Sequence, residues 1–199
     1  MTRGMQAGRQ TTLREPVAVT GIGVHSGSPV TLTLHPAEAD SGIVFSRCGT
    51  DGRGDREFAA NFRAVTATEF ATVLGDKSGP AVSTTEHILA ALYGLGIDNA
   101  VVDVDGPEVP IMDGSAAPFV AAVDQAGIVT VAAPRRYIQV LKPVRVSHHD
   151  CYGELRPHLR GLRIETEIEF DHPMIGCQTF AIDVEPEGFR RDLDRKSVA

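Results

Sequence analysis

Residues 82–96 read VSTTEHILAALYGLG, and the division of the whole chain follows from how this stretch is read. Ile88, Leu92 and Leu95, with Leu89 and Ala91 beside them, recur at the helical period, and Gly94 and Gly96 supply a stop. One face is built for a core, yet the helix opens on a carboxylate and an imidazole, Glu86 and His87. Two readings of the pair stand. In the first, Ser83-Thr-Thr-Glu86 has the S-x-x-E spacing of a capping box, in which Ser83 and Glu86 satisfy each other's orphan amides. In the second, the positive end of the helix dipole disfavours imidazolium and keeps His87 neutral, as a metal ligand must be. Glu86 then points about 100° away around the helix. The spacing is not HExxH, so a catalytic metal would need its other ligands from elsewhere in the chain.

Upstream, residues 13–45 alternate as strands, with Val17 and Val19, then Leu32 and Leu34, on one face. The intervening TGIGVHSG holds glycines at GxGxxxG spacing and leads into a strand, so a dinucleotide loop is excluded. Residues 49–56, GTDGRGDR, form a polar glycine-rich loop. Downstream, a short strand over 99–104 runs into the loop GPEVPIMDG. A second helix over 116–126 follows, with Ser115 as N-cap, Pro118 in its first turn and Gly127 as its stop. Strand patterns resume over 137–146, 152–155 and 163–170, and EPEGFRRDLDRK allows about three helical turns.

The openings PVAVT (16–20) and PVRVS (143–147) echo each other. The expected organisation is therefore α+β: a polar tail over 1–11, a first domain over 12–132, and a second, incomplete and mainly stranded, over 133–199. A second sheet with nothing to cover its apolar face calls for a partner chain.

A net charge of −7 lacks the cationic surplus that general nucleic-acid binding requires. The first residues have no signal-peptide core and no run of 18 uncharged apolar residues exists, so the expected address is the cytoplasm. Cys48, Cys151 and Cys177 are widely spaced and read as free thiols. His148 and His149 sit together at a hairpin turn, adjacent strand positions pointing to opposite faces. His35, His158 and His172 each lie beside a proline.

The segments TGIGVHSGSPVTLTLHPA, DSGIVFSR, ATVLG, STTEHILAALYGLGIDNAVVDVDGPEVPIMDGSAAPFV and IEFDHPMIG, in this order, resemble the UDP-3-O-acyl-N-acetylglucosamine deacetylase family, zinc enzymes of lipid A synthesis. The resemblance runs from about Thr12 to Arg195. It implies two similar domains of sheet and helices with the site between them, and a zinc-dependent hydrolase of the N-acetyl group on an acylated UDP-N-acetylglucosamine. In it His87 matches a zinc ligand and Glu86 the general base. His25 matches a histidine on the substrate-binding side; the other reading of His25 is a loop histidine bonded to its own backbone. The family pattern continues with an ARTFGF-type segment, a His-Lys-x-x-Asp block bearing two more zinc ligands and a late histidine acid. None of these is found here, so the chain reads as a C-terminally shortened member. The alternative is a non-catalytic module on the same fold, binding a nucleotide sugar or a partner.

Overall fold

The computed structural model describes residues 8–47, 56–76 and 79–195. The glycine-rich loop expected over 49–56 lies outside them except for Arg56, and so does Cys48. In chain order the elements are β1 (Arg9–Leu13), β2 (Val17–Ile22), β3 (Pro29–Pro36), β4 (Ile43–Arg47), β5 (Arg56–Ala59), a 3-10 turn (Phe62–Ala64), β6 (Val65–Ala67), β7 (Val73–Asp76), β8 (Gly79–Val82), α1 (Glu86–Gly94), β9 (Ala100–Val104), α2 (Ala117–Ala126) and β10 (Ile128–Pro134). Then come β11 (Val144–His148), β12 (Cys151–Leu155), β13 (Arg163–Glu169), β14 (Cys177–Asp183) and α3 (Pro186–Asp192).

The central sheet has the order β2-β3-β9-β4-β5, antiparallel except where β4 runs parallel to β9. Strand alternation builds its inner face. Leu32 pairs with Val104 and Leu34 with Val102, Phe45 pairs with Val102 and Phe58, and all of these side chains are buried. Ile88, Ala91 and Leu92 of α1 and Phe119, Val120 and Val123 of α2 belong to the same core, completing a sheet-and-helix layer pair. The fold is α+β.

The helix stops resolve differently from their sequence reading. Gly96, at φ 73°, is the stop of α1: its N–H donates to Tyr93 O (3.0 Å) and that of Ile97 to Leu92 O (2.9 Å), the paired bonds of a Schellman motif. Gly94 remains inside the helix for a packing reason, because a Cβ there would overlap the Phe189 ring of α3. The N-cap of α2 is Ala116, with no side-chain cap, in place of the expected Ser115, whose Oγ lies one residue earlier and accepts from the Ala117 amide at 3.2 Å.

Two boundaries also moved, and one strand is new. β1 begins at Arg9, inside the stretch read as a tail, because it pairs with β10. The strand expected over 137–146 starts only at Val144, after Pro143, which has no ladder donor to give. β14 had no counterpart in the strand reading, and its partner is β13. β11 with β12, and β13 with β14, form two separate antiparallel hairpins whose residues are almost all exposed. Cys151 and Cys177 are free and exposed, one in each.

Arg135, just past β10, ties the strand's end to the first layer. Its guanidinium donates to Asp98 Oδ2 (2.7 and 2.9 Å) and Gly96 O (2.6 Å), beside the Thr11 amide on the same carboxylate (2.8 Å).

Candidate functional site

Glu86 is the first residue of α1 and His87 the second. The capping box does not form: the N-cap is Thr85, in helical conformation at φ −82°, with no side-chain cap. Glu86 is held instead by the turn between β6 and β7, where the Thr72 N–H donates to its Oε2 at 3.0 Å. The Thr72 carbonyl in turn accepts from the Thr85 amide (3.3 Å) and hydroxyl (3.1 Å). The amide and the carbonyl of one residue, Thr72, thus clamp the helix start. The carboxylate sits in the first turn, where the helix dipole favours it. His87 is buried, at 7% exposure.

The backbone around this pair is held in an uncommon conformation. Thr84 has φ 58°, which a β-branched residue rarely adopts, and Met112 and Phe70 have φ 58° and 59°. All three lie one or two residues from a group that shapes the site: Thr84 before Glu86, Met112 before Asp113, Phe70 before Thr72. Such outliers persist where surrounding contacts over-determine them, often at functional sites.

Asp113 and Glu108, both in GPEVPIMDG, were read from sequence only as loop residues. Asp113 Oδ1 accepts from the Ser115 hydroxyl (2.7 Å) and amide (3.0 Å), and the carboxylate lies within electrostatic reach of His87. The Ser115 hydroxyl, then its amide, with a smaller contribution from His87, hold Asp113 below the usual carboxylate range. The signal for Asp113 was the D-x-S spacing of an Asx turn in MDGS. Glu108 carried no such local signal, since its partners are far away in sequence.

Burial pushes the Glu108 carboxyl up. The His25 and Ser26 amides and the Ser26 and Thr84 hydroxyls outweigh this, and the net shift is downward. The His25 side chain is exposed, and the His25 amide donates to Glu108 Oε1 at 3.0 Å. The loop over 21–28 closes on itself through Gly27 N–H to Gly23 O (2.9 Å) and Gly23 N–H to Ser28 O (3.0 Å).

Among the described residues no three His, Cys, Asp or Glu side chains gather as a metal site. His87 is one ligand where a catalytic zinc ordinarily takes three from protein, so the described residues do not by themselves fit the metal. Four of the other histidines are engaged elsewhere. His148 and His149 stack edge to face at 4.2 Å, His172 Nδ1 accepts from the Met174 amide (3.2 Å), and His158 faces Asp183 at 3.8 Å.

The model of the family described as UDP-3-O-acyl N-acetylglycosamine deacetylase (LpxC) matches residues 10–196. A UDP-3-O-acyl-N-acetylglucosamine deacetylase of Vibrio cholerae serotype O1 is 47% identical over 94% of this chain and 61% of its own length. One of Brucella ovis is 46% identical over 92% of this chain and 63% of its own length. The chain thus spans about three fifths of the curated relatives it matches. Helix α1 with its Glu86-His87 opening, the loop carrying His25 and the loop carrying Glu108 and Asp113 all fall inside the matched residues, and the chain belongs to the UDP-3-O-acyl N-acetylglycosamine deacetylase family.

Proposed function

We propose that this chain carries one half of a deacetylase site acting on the N-acetyl group of an acylated UDP-N-acetylglucosamine, in lipid A synthesis. The observation that carries the reading is the clamped helix start: Glu86 is oriented by the Thr72 amide, with His87 next to it at the positive end of α1. In this role Glu86 takes a proton from water as the oxygen adds to the acetyl carbonyl. The C–N bond then breaks, giving acetate and the free amine, and a proton must reach the leaving nitrogen. A correctly placed base contributes roughly 10²–10⁴-fold to such a step. His87 is proposed as a zinc ligand, and bound zinc would polarise the carbonyl. The described residues supply only this one histidine, so the remaining ligands and the proton donor are assigned to residues beyond them. His25 is proposed to face substrate.

The expected address is the cytoplasm; among the described residues no helix is long and apolar enough to cross a membrane. The division into domains over 12–132 and 133–199 belongs to the same proposal. It is supported by the likeness of the β2–β3 and β11–β12 hairpins, which open on PVAVT and PVRVS. The exposed faces of β11–β14 favour a second reading, in which part of the fold serves to bind a partner that covers them.

The test is release of free amine from the acylated UDP-N-acetylglucosamine with zinc present, by this chain alone and with the C-terminal part of the Vibrio cholerae relative supplied in trans. Turnover in either setting that Glu86→Ala and His87→Ala reduce at least a hundredfold supports the proposal. Turnover indifferent to both substitutions, or none in either setting, overturns it.

A further inference from the structure

We infer that Glu108 is a positioning residue, whose buried carboxylate holds the 21–28 loop in the shape that presents His25 and ties that loop to the segment leading into Glu86. Glu108 is 2% exposed, and a buried carboxylate is costly unless its oxygens are satisfied. Its partners come from two distant segments. Oε1 accepts from the His25 amide (3.0 Å) and the Thr84 hydroxyl (3.0 Å), and Oε2 from the Ser26 amide (2.9 Å). Successive backbone amides converging on one anion form a nest, here filled by the protein's own side chain.

Glu108 is delivered to this place by backbone pairing on both sides. The Ser83 N–H donates to Pro107 O and the Val109 N–H to Ser83 O, each at 3.0 Å, and the Ile111 N–H donates to Ile22 O at 3.0 Å. The loop encloses the carboxylate so closely that a Cβ on Gly23 would overlap both it and the Ser26 hydroxyl. This accounts for a glycine in GIGVHSG that a nucleotide-loop reading left unexplained.

Apolar packing does not hold the loop. Its own apolar side chains, Ile22 and Val24, are 57% and 55% exposed. The shape of the loop therefore depends on its own backbone hydrogen bonds and on those to one charged group. That group also reaches Thr84, held at φ 58° two residues before Glu86, and its own segment continues to Asp113, within electrostatic reach of His87. A single carboxylate connects the three segments that bear every proposed site residue. The claim that this matters to substrate rests on the deacetylase reading; the claim that it shapes the loop does not.

A glutamine in place of Glu108 keeps the size but turns an NH₂ towards an amide donor, leaving hydrogen bonds unmade at a cost of about tenfold or more in the closed population. The test is hydrogen exchange on the 199-residue chain, with binding of the acylated UDP-N-acetylglucosamine measured beside it. In Glu108→Gln the 21–28 amides should lose about tenfold protection and ligand affinity should fall about as much, while β9 amides and the melting temperature of the core stay near the parent's. Glu86→Gln should leave loop protection as in the parent. Thr84→Ala, which removes one arm only, should give a smaller loss confined to the same loop. Unchanged loop protection in Glu108→Gln overturns the inference, as does a loss spread evenly over β9 and the loop in both Glu108→Gln and Thr84→Ala. Selective loss of loop protection with no ligand binding even by the parent upholds the positioning of the loop and counts against the deacetylase reading.

Discussion

The hairpins β2–β3 and β11–β12 open on nearly the same residues, PVAVT and PVRVS, and end in opposite surroundings. Leu32 and Leu34 of β3 are 0% and 1% exposed, whereas Val144 and Val146 of β11 are 49% and 69% exposed. The strands themselves are equally regular, each pairing antiparallel without a bulge. What differs is cover. The first hairpin joins a five-stranded sheet under α1 and α2, while the second forms a two-stranded sheet by itself and has, among the described residues, no helix of its own. The helix that follows it, α3, places Phe189 in the core of the first layer, against Gly94 of α1. Alternation therefore encodes a strand, and burial is settled by which helix reaches it.

Truncation on each side gives the sharpest contrast. Phe119→Ala, at a fully buried position of α2, should cost about 3–5 kcal/mol in denaturant unfolding. Val146→Ser on the exposed hairpin should stay within about 0.5 kcal/mol. Equal losses at the two sites would mean that both regions bury comparable cores. The link between them is tested next by Gly94→Ala. In an isolated helix that change stabilises by up to about 1 kcal/mol, but here the new methyl meets the Phe189 ring, so a loss of about 1–3 kcal/mol is expected. Faster exchange of α3 amides in this variant would locate the damage; a gain in stability would show that α3 is not seated on α1.

A smaller effect is expected from the ion pair that also fastens α3 to the first layer, Arg190 to both oxygens of Asp124 at 2.8 Å. The pair is solvent-exposed, so Asp124→Ala should cost about 0.2–1 kcal/mol, and less in high salt. The smallest change is local to the first layer. Glu108 titrates below its unfolded value of 4.5, so its contribution is fully present above that value and is lost as pH falls through the lower folded value. The amide and hydroxyl donors around it do not titrate in that window. Exchange in the 21–28 loop, corrected for the intrinsic rate, should rise there in the parent and stay flat in Glu108→Gln, with β11–β12 unaffected in both.

Period and turn chemistry in the sequence alone determined the strand character of β2, β3 and β9 and both core helices, because these depend on neighbours within a few residues, whereas the pairing of Val17 with Leu34 and of Val19 with Leu32 belongs to the sheet. The resemblance carried by the same residues pointed to Glu86, His87 and His25. Only the tertiary structure decided what Glu86 does. The capping box gave way to a hydrogen bond from Thr72, fourteen residues away. It also decided that Gly94 admits an aromatic ring and Gly96 stops the helix, and that β1 belongs with β10. Glu108 is the clearest case: as one acidic residue in a loop it is unremarked by any local pattern, and its partners lie 82, 83 and 24 residues away. A buried charge finds its donors through the packing of whole layers, and no window along the chain contains them.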